Sequence, residues 1–154
     1  MEMPKPSAGH RKLETLVGDW EGPEVLSPSP WGPGGPAVGK MKMRLDVDGF
    51  FVVQDYVEEK DGRVVFRGHG VFGYDAQADT YAWFWFDSMG FVPLAPSRGK
   101  WTGDTLLLET KTERGWGKYT HHFAADGAYT FSIENSFDGG TTWNKVMSGT
   151  YLRK

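Results

Sequence analysis

The chain has 154 residues, with 21 glycines, 9 prolines, seven Trp, six Tyr, ten Phe, no cysteine and a net charge of −3. Without cysteine it is no disulfide scaffold, thiolate metal site or cysteine-nucleophile enzyme, and an acidic balance speaks against nucleic-acid binding, which needs clustered Lys and Arg. The longest apolar run, Tyr81 to Phe86, is far too short to span a membrane, and the proline-broken N-terminus, Met1 to His10, does not read as a signal peptide. The expectation is one cytoplasmic domain over residues 1–154.

In chain order, Ser7 can cap a short helix over Ala8 to Leu16, with Leu13, Leu16 and Val17 as its apolar stripe. A strand starts at Gly18-Asp19-Trp20. The segment Pro23 to Pro36 then reads as a long proline-rich insert, and its Trp31 reads as a gate over one end of the fold. Met41, Met43, Leu45 and Val47 alternate with charged residues, which is the signature of a strand with one wet face. Further strands follow at Phe50–Glu58, Arg63–Tyr74, Thr80–Met89, around Leu106 and Leu108, at Gly115–Ala125, at Tyr129–Phe137 and at Trp143–Leu152. Turn signals such as Asp61-Gly62, Gly103-Asp104 and Asp126-Gly127 separate them. About nine or ten antiparallel strands must manage their edges, so the pattern predicts an up-and-down β-barrel with a short N-terminal helix across one end. A two-sheet sandwich is the competing arrangement.

Polar residues embedded in apolar strands are the candidates for chemistry. On the Phe50, Val52 parity, Gln54 and Tyr56 share one face and Asp55 takes the other, so Gln54 and Tyr56 fit the polar groups of a small-molecule pocket. His121 and His122 are adjacent on one strand and face opposite sides; the parity of Tyr119 and Phe123 puts His121 inward. His69 lies between Gly68 and Gly70, where the parity is ambiguous, and two inward histidines without a third ligand fall short of a metal site. Asp87 follows the aromatic run Trp83 to Phe86. On the face of Trp85 it is a candidate acid or base, or else it pairs with Arg44, Arg67 or Arg98. Met89 completes this set. Ser136 to Trp143 matches the Asp-box pattern Ser-x-Asp-x-Gly-x-Thr-Trp, read here as a hairpin turn built on Asp138.

Leu16-Val17-Gly18-Asp19-Trp20-Glu21-Gly22 resembles the Gly-x-Trp opening of calycins, the lipocalins, fatty-acid-binding proteins and nitrobindin-like barrels. More of the chain resembles a bacterial family, domain of unknown function 1579. The resembling stretches are Pro28–Trp31, Asp48–Tyr56, Arg67–Asp75 and Trp85–Gly90, across roughly the first two-thirds of the chain. The resemblance implies a lipocalin-like barrel. A nitrobindin-like barrel would imply haem held by a histidine near the C-terminus. Residues 143–152 contain none, and Met147 is the remaining axial candidate there, so no cofactor is expected.

The function expected from these residues is binding of a small, largely apolar ligand inside the barrel, with Trp31, Gln54, Tyr56, His69, Trp85, Asp87, Met89 and His121 around it. The first alternative is a small-molecule enzyme, an isomerase, cyclase or hydrolase using Asp87 with His69 or His121 as acid and base. The second is an interaction module whose barrel is filled with aromatics and whose proline-rich loop packs in a homodimer.

Overall fold

Apolar and polar residues alternate along almost every strand, and in the computed structural model, which describes residues 1–154, that alternation closes on itself. The strands are β1 (Gly18–Leu26), β2 (Gly35–Asp46), β3 (Phe51–Lys60), β4 (Arg63–Asp75), β5 (Thr80–Asp87), β6 (Ser97–Thr102), β7 (Thr105–Thr112), β8 (Gly115–Phe123), β9 (Tyr129–Ser136) and β10 (Asn144–Arg153). Each pairs antiparallel with its neighbour in sequence and β1 pairs with β10, giving a closed barrel of ten strands. Closure satisfies the edges that an open meander would expose. No helix is long and apolar enough to cross a membrane.

The predicted helix over Ala8–Leu16 divides. Only α1, Ala8–Lys12, is α-helical, and Leu13–Leu16 tightens into a 3₁₀ turn. That turn closes one end of the barrel, called here the lower end. Leu13 and Leu16 are fully buried, the Tyr81 hydroxyl donates to the Gly9 carbonyl at 2.7 Å, and Trp20 Nε1 donates to the Leu16 carbonyl at 2.9 Å. The Arg153 guanidinium lies 4.4 Å from the centre of the Trp20 ring and donates to the Val17 carbonyl at 2.6 Å. Around this plug Met43, Val52, Phe72, Leu106 and Phe123 form a dry core.

The proline-rich insert is shorter than it reads. Strand β1 runs on to Leu26 and β2 begins at Gly35, so only residues 27–34 form a loop. Pro23 is tolerated because the ladder to β10 passes from Glu21↔Leu152 to Glu24↔Gly149 without a bridge at Gly22 or Pro23, where the missing N–H is not needed.

The upper end is less regular. Strands β5 and β6 pair only through Tyr81↔Gly99, Ala82↔Arg98 and Trp83↔Ser97, so the upper half of β5 has no β6 partner. Residues 88–96 fill that seam, fastened by Arg114 Nη1 donating to the Val92 carbonyl at 3.0 Å. The Asp-box segment is the β9–β10 hairpin at the same end. Asp138 accepts from Thr142 N–H at 2.8 Å and from the Ser136 hydroxyl at 2.9 Å, and Trp143 Nε1 donates to the Gly140 carbonyl at 3.1 Å.

Candidate functional site

The upper half of the barrel encloses a cavity of about 530 Å³. That volume suits a small organic molecule. Of its 26 lining residues 17 are hydrophobic, so the few polar groups in it stand out.

Glycines make room for the tryptophans of its wall. On β4, Phe66, Gly68, Gly70 and Phe72 face inward. A methyl group at Gly68 would lie 2.1 Å from Trp85 Cζ2, and one at Gly70 would lie 2.5 Å from Gln54 Oε1 and 2.6 Å from Trp83 Nε1. The two tryptophans of β5 thus occupy the volume that side chains on β4 would need. This settles the ambiguous parity of Gly68-His69-Gly70, and it corrects the reading of His69 as a ligand-binding residue. His69 is on the outer surface, its Nδ1 3.0 Å from Asp55 Oδ1, while Arg44 holds the other oxygen of Asp55 at 3.0 Å. The hydrogen bond from His69, with help from Arg44, holds Asp55 below the ordinary carboxylate range.

Trp31 also departs from its expected position. It stands 75% exposed on the 27–34 loop and is not among the residues lining the cavity. The rim is built instead by Met89, Phe91, Pro93, Leu94 and Ala95 of the segment that fills the β5–β6 seam. Gln54, Tyr56, Trp85, Asp87, Met89 and His121 all line the cavity. Asp87 pairs with none of the arginines; its Oδ2 accepts from Trp85 Nε1 at 2.8 Å, and its Oδ1 accepts from Met89 N–H at 3.0 Å.

Deepest in the cavity are three buried polar atoms with no partner: Gln54 Oε1, Trp83 Nε1 and His121 Nε2. His121 is completely buried, and burial drives its pKa down to about 3, so the ring is neutral. Its Nδ1 is 2.6 Å from the Tyr129 hydroxyl. That hydroxyl has one proton to donate and no other acceptor in reach, so the tautomer that leaves it paired carries the ring hydrogen on Nε2. Just beneath the cavity floor there are therefore one acceptor and two donors, all unpaired and all in a setting where unpaired polar atoms are costly.

One cluster escaped the sequence reading altogether. Glu24 is 1% exposed, inside what read as the proline-rich insert, and Glu58 is 8% exposed on β3. The Tyr56 hydroxyl lies 2.7 and 2.8 Å from the two oxygens of Glu24 and 3.1 Å from Glu58 Oε2, and Tyr151 donates to Glu24 Oε2 at 2.5 Å. Burial raises the Glu24 pKa to about 7; the two tyrosine hydrogen bonds oppose the rise and the Glu58 carboxyl adds to it. Burial also lifts both tyrosines far above the ordinary phenol range. The signal in the sequence is the period: Glu24 stands two and four residues from Gly22 and Trp20, on the same inward face.

No three His, Cys, Asp or Glu side chains converge as metal ligands would. For haem, the last strand brings Met147 and Tyr151 to the cavity, with Tyr151 already engaged by Glu24, and supplies no histidine. The donor set on that strand does not fit the histidine ligation that the nitrobindin resemblance implies.

The family profile described as "Protein of unknown function (DUF1579)" matches residues 5–153. No curated protein matches the chain. Among solved structures, Rv2717c from M. tuberculosis is similar over 96% of this chain and 98% of its own, with a TM-score of 0.69 and 14% identity. The S-type phycobiliprotein lyase CPES from Guillardia theta is similar over 94% of this chain and 91% of its own, with a TM-score of 0.66 and 12% identity. At such identities the likeness is one of fold: a lipocalin-like barrel.

Proposed function

The chain belongs to the DUF1579 family of proteins of unknown function, and from that premise and the shape of its interior we propose that it binds a small, largely apolar ligand inside the barrel. The observation that carries this reading is the unpaired set Gln54 Oε1, Trp83 Nε1 and His121 Nε2 at the bottom of an apolar cavity of about 530 Å³. A ligand carrying both an acceptor and a donor pairs these atoms, while Tyr56, Trp85 and Met89 contact its apolar body. Such a division, much apolar area with a few fixed polar points, is how small-molecule sites combine affinity with orientation.

The acid–base alternative loses one of its two pairs. Asp87 and His69 stand on opposite sides of the barrel wall. His121 packs against Trp83 deep in the cavity, and Asp87 stands four positions further up β5, roughly 13 Å along the strand from Trp83, so they sit at different depths of the same space. The filled-barrel alternative does not suit an interior with this much space.

Titration with N-phenyl-1-naphthylamine, a neutral apolar fluorophore, tests the proposal. Saturable enhancement of its emission, with quenching of intrinsic tryptophan fluorescence at about one probe per chain, is expected from Trp83 and Trp85 in the wall. A linear, non-saturating response would overturn it.

A further inference from the structure

The cavity wall is acidic as well as apolar. Among its lining residues Glu58 and Asp87 are carboxylates, Glu24 stands directly behind Tyr56, and the one cation, Arg114, is turned to the Val92 carbonyl at the rim. None of the six ion pairs of the molecule includes Glu24 or Glu58. Two buried carboxyl groups side by side without a cation are an unusual expense of folding, because each ionised group there lacks both water and a counter-charge. Flanking glycines shape the slot: a methyl at Gly39 would meet Glu24 Oε2 at 2.3 Å, and one at Gly149 would meet the Tyr151 hydroxyl at 2.3 Å. The second, independent sign comes from Gln54. It is 96% buried on the same inward face of β3 as Tyr56 and Glu58, and its Oε1, an acceptor, has no donor.

We propose that the ligand is an organic cation, an amine or related nitrogen base bearing N–H on an apolar body, whose charged nitrogen is taken by Glu58 with Glu24 behind it. The proposal rests on the reading of the cavity as a ligand site. The nitrogen meets Glu58 directly; the Tyr56 hydroxyl, 2.8 Å from Glu24 Oε2 and 3.1 Å from Glu58 Oε2, stands between the two carboxyls with one proton for either. The rings of Phe66 and Trp85 lie beside this cluster, Tyr56 being 6.3 Å from Phe66 and 5.9 Å from Trp85 between ring centres, and aromatic rings attract cations at their faces. A ligand anion at the same place would meet two carboxyl groups and no counter-charge.

Three probes of one shape read the charge: decylamine, decanol and decanoate, each titrated against the intact chain at pH 7.5 by displacement of N-phenyl-1-naphthylamine. Decylamine is expected to bind about tenfold more tightly than decanol, the margin of a charge-assisted over a neutral hydrogen bond, with decanoate weakest. In Glu58→Gln, and separately in Glu24→Gln, the amine-to-alcohol ratio is expected to fall toward one. Equal binding of amine and alcohol in the wild type, or a ratio unchanged in both variants, overturns the cationic ligand. If the naphthylamine binds saturably while the decyl series shows no preference for charge, only this inference fails. If neither the naphthylamine nor any decyl compound binds, the ligand-binding reading fails with it. The wild-type order alone can overturn the proposal, so the test does not depend on either variant folding.

Discussion

The two ends of this barrel are made from the same strands by the same alternation, yet one is solid and the other hollow. Below, the inward positions carry Trp20, Met43, Val52, Phe72, Leu106 and Phe123, and Leu13 and Leu16 fill what remains. One to three inward positions further up the same strands the inward residues are Gly22 on β1, Gly39 on β2, Gly70 and Gly68 on β4 and Gly117 on β8. The hollow end also lacks part of the β5–β6 ladder, so inward side-chain placement and the open seam together separate cavity from core. The cavity wall includes Trp85 and Trp83 seated over Gly68 and Gly70, and its rim is the 88–96 segment.

The sharpest way to separate the ends is to injure them one at a time. Leu16→Ala removes a fully buried side chain from the plug and is expected to cost about 2–5 kcal/mol in chemical denaturation, while naphthylamine affinity in the surviving folded protein stays near wild type. A loss of affinity in step with stability would mean that the two ends are not independent.

Next in size is the pH dependence of the hollow end. Glu24 has a folded pKa near 7 against an ordinary 4.5, so the native state holds the extra proton between those values. Its contribution is full below about pH 4.5 and is lost as pH rises to 7, on the order of 3 kcal/mol. The groups facing it are Tyr56 and Glu58 on β3 and Tyr151 on β10, with Tyr129 on β9 beyond. His121 runs the other way. With a folded pKa near 3 against 6.5, its contribution is full above pH 6.5 and is lost as pH falls toward 3. Opposed slopes predict a stability plateau between about pH 4.5 and 6.5 with a fall on either side. Denaturation of Glu24→Gln should remove the fall on the alkaline side and turn the plateau into a continued rise to about pH 6.5; persistence of the alkaline fall would clear Glu24 of the effect.

Gly70→Ala comes third. Its methyl group would press on Gln54 Oε1 and Trp83 Nε1, and the expected cost is about 1–3 kcal/mol of stability with a marked loss of naphthylamine binding. Unchanged binding would show that the deep polar atoms are not used. Trp31→Ala is the smallest: as an exposed residue off the cavity it should change stability by less than about 0.5 kcal/mol and leave probe affinity unaltered.

Much of the barrel was legible because proline and alternation are local signals. Prolines crowd before residue 37, and the period-two pattern of Met41 to Val47 needs no knowledge of partners. What misled was also local. Pro23 and Pro36 made Glu24 look like loop, whereas both prolines sit in strands at the first hairpin, facing Val38 and Val25. The facing of His69 depended on register with β5, where Gly68 and Gly70 meet Asp87 and Trp85, and no spacing within β4 contains that information. Gln54, Tyr56 and His121 were readable because each shares a face with unambiguous neighbours. Trp31 was not, since a loop has no parity to fix where its side chain points.

The incomplete pairing of β5 with β6 has a consequence for traffic. Where a barrel is zipped from end to end, a guest can leave only along the axis, and every route out passes the rim. Here the upper β5 edge is covered by a segment whose own backbone is tied down at few points, among them Ser88 N–H to the Arg67 carbonyl at 2.9 Å and Gly90 N–H to the Asp87 carbonyl at 3.0 Å. Displacing it breaks few ladder bonds and carries Phe91 and Leu94 away from the rim of the cavity. For a guest of the kind proposed, residence time and equilibrium affinity would then be set by different parts of the wall: the deep polar atoms would govern how tightly it is held, and the seam how soon it can go.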